Sequence, residues 1–169
     1  MPAFGPVVPL TAAHDASGFD CGSAAQTAWL RRNGLQAQSA GTSRVYVVTE
    51  PASPVVLGYY ALAAGSVDLA AAPDRARKGV GRHPIPVALL ARLGVDLRAQ
   101  GTGLGAALVR DALRRVEAAA DVIGIRALLI HAESDRARAF YEHVGEFEPS
   151  PTDPLHLFLL VKDLRRALE

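Results

Sequence analysis

The sequence predicts a mixed α/β domain around one central sheet, and three observations carry that expectation. Apolar, β-branched runs alternate with helical segments in the order strand, helix, strands, helix, strand, helix, strand. The clearest helix is amphipathic and opens directly from a glycine-rich loop at the end of an apolar run. The 169 residues are 50% hydrophobic and 21% charged, enough for one domain (1–169) with a full core and too apolar for a disordered tail.

Residues 1–22 read as a short strand at Val7 and Val8 followed by a loop. Residues 23–39 predict a helix with Ser23 as N-cap and Ala25, Trp29 and Leu30 on one face, weakened by Gly34. Residues 44–49 (RVYVVT) and 55–66 (VVLGYYALAAGS) predict strands, and the turn-like Glu50-Pro51-Ala52-Ser53-Pro54 makes them an antiparallel hairpin. Tyr59 and Tyr60 fall on opposite faces of the second strand, so one packs and the other is open to line a groove; the sequence does not choose between them. Residues 68–84, rich in Ala, Arg and Gly, read as a loop or short helix.

Residues 85–97 read as a buried strand, although their Ala and Leu content also allows a helix. In 103–121, Leu104, Leu108, Ala112 and Val116 recur every four residues, with Arg110, Arg114 and Arg115 on other faces. Residues 126–131 predict a strand. A helix follows over 134–144, with Ser134 or Asp135 as N-cap and Gly145 in the usual C′ position. A last strand is expected at 155–161.

Composition excludes several classes. One cysteine, Cys21, rules out an intramolecular disulfide and a multi-Cys zinc site, and it fits a reducing cytoplasm. No histidine neighbours it in sequence to activate it as a nucleophile. The N-terminal MPAFGPVVPL lacks a basic region and is broken by Pro2, Pro6 and Pro9, so no signal peptide is expected. No run approaches the roughly 18 apolar residues of a membrane span. The net charge of +1 argues against a generic polyanion binder. Yet residues 23–98 carry nine basic and four acidic side chains, against nine and eleven over 99–169. Sixteen of the 18 basic residues are arginines, suited to bidentate phosphate contact, a bias that a GC-rich genome would also produce.

The segment Val95-Asp96-Leu97-Arg98-Ala99-Gln100-Gly101-Thr102-Gly103-Leu104-Gly105 carries the most chemistry. Alternating glycines let backbone N–H groups converge on one point, and the helix that follows adds partial positive charge, together a phosphate or pyrophosphate cradle. A glycine-rich turn without a ligand is the plain alternative. No Lys-Ser/Thr follows, as a Walker A loop needs, and the Gly-x-Gly-x-Gly spacing is not a dinucleotide fingerprint.

The spacing Gln100-x-x-Gly103-x-Gly105 resembles the coenzyme A loop of GCN5-related N-acetyltransferases (GNAT). Phe140-Tyr141-Glu142-x-x-Gly145 is similar to the second acetyl-CoA motif of that family. Further stretches narrow the resemblance to the TacT-like acetyltransferase toxins of type II toxin–antitoxin modules. They are Phe19-Asp20-Cys21-Gly22 with Trp29-Leu30-Arg31, the strand 55–66, Pro84-Ile85-Pro86-Val87, Leu90-Ala91-Arg92-Leu93, His131-Ala132, and Pro149 to Leu155. Together they span about 7–161. The chain departs from the group at Gln26-Thr27, where Leu-Asp is usual. It departs again at Gly145-Glu146-Phe147, one residue longer than the usual Gly-Phe and a place for a shifted register or a bulge, and at Gly94, where alanine is commoner.

The resemblance implies a single GNAT domain, a mixed sheet flanked by helices on both faces. It also implies acetyl-CoA as co-substrate and acetylation of the α-amine of aminoacyl-tRNA, which stops translation. The implied partners are a ribbon-helix-helix antitoxin and a second copy in a homodimer, in the cytoplasm. An N-acetyltransferase of a small amine or a protein N-terminus, or a non-catalytic coenzyme A- or antitoxin-binding module, are the alternatives. Leu93, Val95, Arg98, Gln100, Gly101, Gly103, Leu104 and Gly105 are the expected coenzyme contacts, although Arg98 can equally solvate the loop. Tyr141 is the expected general acid, while Phe140 reads as packing. Arg31, Arg32, Arg44, Arg75, Arg77, Lys78 and Arg82 are candidate tRNA contacts or a solvated surface. An α-amine titrates near 7.7–8, so no strong base is required. His131 and Glu133 are the nearest base candidates in sequence, each with a simpler structural reading. No metal site is expected.

Overall fold

The expected hairpin forms as β2 (Arg44–Thr49) and β3 (Val56–Val67), antiparallel, with Tyr46 opposite Tyr60 and a register shift at Val48/Thr49. In this computed structural model residues 4–169 are described, so Pro2 of the N-terminal stretch lies outside the described residues. The other strands are β1 (Val8–Pro9), β4 (Ile85–Val95), β5 (Ala127–His131), β6 (Glu148–Pro149) and β7 (His156–Leu160). They form one mixed sheet in the order β1-β2-β3-β4-β5-β7-β6. β4 and β5 are its parallel pair; the seventeen-residue helix α4 (Leu104–Ala120) lies between them in the chain, as a parallel connection requires.

Two compact units divide the chain. The first runs from the N-terminus to Ala63 and adds Ala91–Asp111; the second comprises Ala64–Leu90 and Ala112–Glu169. In the first, Phe19, Leu30, Val45, Val47, Val56, Tyr59 and Ala61 make a buried cluster. Ser23 caps α1 (Ala24–Trp29) by accepting the Gln26 amide. A π-helical turn (Leu30–Gly34) and α2 (Leu35–Ala40) continue it. Ala25, expected on the inner face, is exposed. The inner stripe instead passes through Gln26, Leu30 and Gly34, one position round the helix. Gly34 is closely packed there, since a Cβ would stand 3.1 Å from Leu30 Cδ1.

Both tyrosines of β3 are fully buried, so neither lines an open groove. Tyr59 donates to the Gln26 carbonyl at 2.6 Å and stacks on Trp29, while Tyr60 donates to Asp111 of α4. Gly58 admits Leu104 and Leu108 of α4, whose methyls come within 3.2 and 3.0 Å of where its Cβ would be. Adjacent residues of a strand face opposite ways, so helices cover both faces of β3.

In the second unit β5 pairs β4 over Leu90↔Ile130 and three preceding pairs, and pairs β7 on its other side. The segment expected as a loop or short helix holds a 3-10 turn (Leu69–Ala71) and α3 (Asp74–Arg77). It is pinned from below. Arg126 donates to the carbonyls of Arg75, Ala76 and Lys78 at 2.9–3.2 Å, and Ser150 donates to Ala71 at 2.6 Å.

Several boundaries move. β1 takes Val8–Pro9 rather than Val7–Val8, and β4 stops at Val95 because Asp96 opens a 3-10 turn. β7 stops at Leu160, and a short helix α6 (Val161–Ala167) follows, burying only Val161 and Leu164. Gly145 ends α5 (Asp135–Val144) in extended backbone, φ −166°, not in the left-handed cap expected. It is glycine for space: a Cβ would lie 2.8 Å from the Phe147 ring. The extra Glu146 is exposed, and it lets that ring fold back under Gly145.

Candidate active site

The glycine loop is built on a buried carboxylate. Asp96, 2% exposed, accepts from the amides of Asp20 and Arg98 at 3.1 and 2.9 Å, and from the Arg98 guanidinium at 2.8 and 3.1 Å. Burial pushes its pKa up, but these hydrogen bonds together outweigh it and hold the carboxyl below its usual range. Gln100 donates from Nε2 to the Cys21 and Val95 carbonyls at 3.0 Å each. Thr102 donates to the Ala99 carbonyl at 2.5 Å. Gly94 makes room for this anchorage, since a Cβ there would stand 3.1 Å from both Cys21 Sγ and Tyr59 Cε1.

On that base, Gly101 and Gly103 adopt φ +77° and +87°, and open space surrounds both where a Cβ would be. The Gly103 carbonyl accepts the Ala107 amide, which starts α4 and leaves the preceding amides without helical acceptors. The first turn of α4 contains no acidic residue. Left-handed glycines, open space and an uncompensated helix N-terminus suit a phosphate group, so the residues present fit the pyrophosphate of coenzyme A. Gln100 and Arg98 do structural work, clamping the loop and pairing with Asp96. Leu104 is buried, and Leu93, Val95 and Gly105 are half-buried.

Tyr141 stands on α5, whose N-cap Ser134 accepts the Ala137 amide. The ring is 7% exposed and packs edge-on against Phe140 and Phe147 at 5.2 and 6.3 Å. Burial, and secondarily the negative Glu133, raise its pKa above the usual phenol value. The hydroxyl is therefore a proton donor at every physiological pH. His131 ends β5 and stacks on His156 at 4.0 Å. Burial, then the neighbouring His156, lower its pKa against the pull of Asp153. His156 was not singled out in the sequence, because its opposition to His131 exists only once β5 and β7 pair. Asp96 was likewise missed; its position at the strand end before a glycine loop was the available signal.

The candidate tRNA contacts separate into two groups. Arg75 is held by Glu148 and Asp163, both at 2.8 Å, and Arg77 pairs with Asp74. Arg44 donates to the Gln38 carbonyl at 3.4 Å. All seven are exposed, Arg31, Arg32, Lys78 and Arg82 among them; the three whose side chains have partners are Arg44, Arg75 and Arg77. At the departures from the family pattern, the Thr27 hydroxyl accepts the Cys21 amide at 3.1 Å, and the Gln26 carbonyl receives Tyr59. Among the described residues no cluster suited to a metal ion is found, and no helix is long and apolar enough to cross a membrane.

Residues 35–153 match the model of the acetyltransferase (GNAT) domain, and the chain belongs to that family, an acetyl-CoA-using acetyltransferase. Within the family it groups with the TacT-like toxins. It is 49% identical over 156 residues to a tRNA-acetylating toxin of Mycobacterium tuberculosis (strain ATCC 25618 / H37Rv), covering 92% of each chain. It is 33% identical to a probable toxin TacT of Sinorhizobium fredii (strain NBRC 101917 / NGR234), covering 92% of this chain and 90% of that one. Among solved structures, AtaT complexed with acetyl-methionyl-tRNAfMet matches with TM-score 0.88 and 30% identity over 97% and 99% of the two chains. A tyrosine-to-phenylalanine mutant of the AtaT toxin, bound to the C-terminus of the antitoxin AtaR and acetyl-CoA, matches with TM-score 0.81 and 28% identity over 95% and 96%.

Proposed function

We propose that this protein is a cytoplasmic toxin that moves an acetyl group from acetyl-CoA to the α-amine of aminoacyl-tRNA and so blocks translation. The observation that carries it is 49% identity over nearly the whole length to a tRNA-acetylating toxin. A glycine loop shaped for a pyrophosphate supports it. Bound acetyl-CoA would supply an activated acetyl thioester. The amides of Gly101 to Gly105 would hold its phosphates, with Leu93 and Val95 on β4 beside the chain of the coenzyme. Tyr141, kept protonated by burial, donates its Oη proton to the thiolate as the C–S bond breaks, and the proton released by the acetylated amine returns to the phenolate through solvent. The acceptor needs no strong base, since an α-amine titrates near 7.7–8. Residues 1–169 act as one domain, a homodimer in its active form, and a ribbon-helix-helix antitoxin neutralises it. Arg31, Arg32, Lys78 and Arg82 carry the tRNA backbone, with lesser shares for the paired Arg44, Arg75 and Arg77.

The test is acetylation of charged tRNA by the purified protein with labelled acetyl-CoA, beside free amines and peptide N-termini. Tyr141→Phe is expected to fold and bind acetyl-CoA while losing roughly 10²–10⁴-fold in transfer rate. Near-normal transfer by that variant removes Tyr141 from the chemistry. Acetylation of free amines in preference to charged tRNA removes the toxin assignment.

A further inference from the structure

The second unit contains a dish of about 250 Å³ whose floor is apolar, made by Val87, Leu129 and Phe158, and whose wall is the stacked pair His131 and His156. Asp68 lines its rim, and Asp153 lies 3.4 Å from His156. No lysine or arginine lines it. We infer that this dish receives the side chain of the amino acid carried by the tRNA, and that it selects uncharged, apolar side chains. The inference rests on the tRNA-acetylating reading above.

Three observations narrow the occupant. An open dish of about 250 Å³ has room for one amino acid side chain. The lining offers no cation and has one carboxylate, with a second beside His156, so a phosphate or an acidic side chain meets repulsion without a partner. Burial and the neighbouring His156 favour the neutral form of His131, so that imidazole supplies little compensating charge. The position also suits the chemistry: His131 ends β5, and residues 132–134 lead directly into α5, which carries Tyr141.

Two substitutions test this without touching the proposed acid or the glycine loop. A Cβ on Gly65 would meet only Val87 Cγ2, at an ordinary 3.5 Å, and the backbone there is not left-handed, so a side chain can start there and Gly65→Val narrows the dish. Asp68 is exposed, and Asp68→Lys reverses the charge of the rim. A panel of tRNAs charged with glycine, alanine, methionine, phenylalanine and aspartate is assayed for kcat/KM, with acetyl-CoA binding measured alongside. The wild type is expected to use aspartyl-tRNA worst. Gly65→Val should lower the methionyl and phenylalanyl rates roughly tenfold or more relative to glycyl. Asp68→Lys should raise the aspartyl rate relative to the others. An unchanged rank order in both variants, with the wild type active, overturns the dish but leaves the toxin reading standing. A wild type that binds acetyl-CoA but acetylates no charged tRNA overturns both. If Gly65→Val fails to fold, Asp68→Lys decides alone.

Discussion

Replacing Asp96 by alanine strips the acceptor from beneath the glycine loop, and the cost can be worked from its partners. Two backbone amides, of Asp20 and Arg98, lose their hydrogen-bond acceptor, a carboxylate that is itself 2% exposed. A buried donor left unpaired costs about 1–3 kcal/mol, so the pair predicts a loss of about 2–4 kcal/mol after partial relaxation. For a domain of this size that lowers Tm by roughly 4–16 °C. The guanidinium of Arg98, with its side chain 57% exposed, turns to water in that variant. Arg98→Lys is the control: it keeps both amides on the carboxylate and a cation beside a side chain that is 3% exposed, and is expected to cost less than about 1 kcal/mol. The assay is urea unfolding with titration of acetyl-CoA binding on both variants. Asp96→Ala should be the less stable and the weaker in coenzyme binding. The pH dependence has a definite sign. The folded pKa of Asp96 lies below the unfolded value of about 3.9, so its contribution is complete above that pH and fades as pH falls through the folded value. The gap between wild type and Asp96→Ala should narrow in acid. Equal stability of Asp96→Ala and Arg98→Lys at neutral pH refutes the reasoning.

Gly145→Ala should destabilise by about 1–3 kcal/mol in urea unfolding, because its Cβ meets the Phe147 ring at 2.8 Å, and Phe147→Leu in the same chain should recover part of that loss. Arg31→Glu should weaken binding to charged tRNA and flatten the log–log salt dependence by about one unit while leaving Tm unchanged; Arg75→Ala, already paired with Glu148 and Asp163, should change tRNA binding less. The transfer rate should rise with pH through the α-amine range of about 7.7–8 and show no descending limb by pH 9, because Tyr141 holds its proton above the ordinary phenol range. A falling limb in that interval would take the phenol out of the rate equation.

What the sequence revealed follows from how local each signal is. Leu104, Leu108, Ala112 and Val116 place α4 because their spacing is a property of that helix alone, and they are buried as expected. The glycine loop was legible because Gly101 and Gly103 answer a local backbone demand. Ser23 and Ser134 cap their helices for the same reason. The stacking of His131 on His156 depends on pairing between β5 and β7, twenty-five residues apart, and no spacing rule announces it. Gly94 makes room for Cys21 and Tyr59, both remote in sequence, so as a letter it showed nothing of its purpose. The arginines were equally ambiguous as letters: Arg75 and Arg31 look alike until Glu148 and Asp163 claim one of them.

The anchorage of the glycine loop has a consequence for protein engineering. Its two clamps reach back to the residues just before the first helix, with Gln100 gripping the Cys21 carbonyl and Asp96 gripping the Asp20 amide. The loop is therefore not a portable cassette. A graft of residues 95–105 onto another scaffold would bring the glycines without the splint that sets their pose. A working graft would have to carry residues 20 and 21 along with the loop, and the buried Phe19 beside them ties that stretch to the core of its own unit.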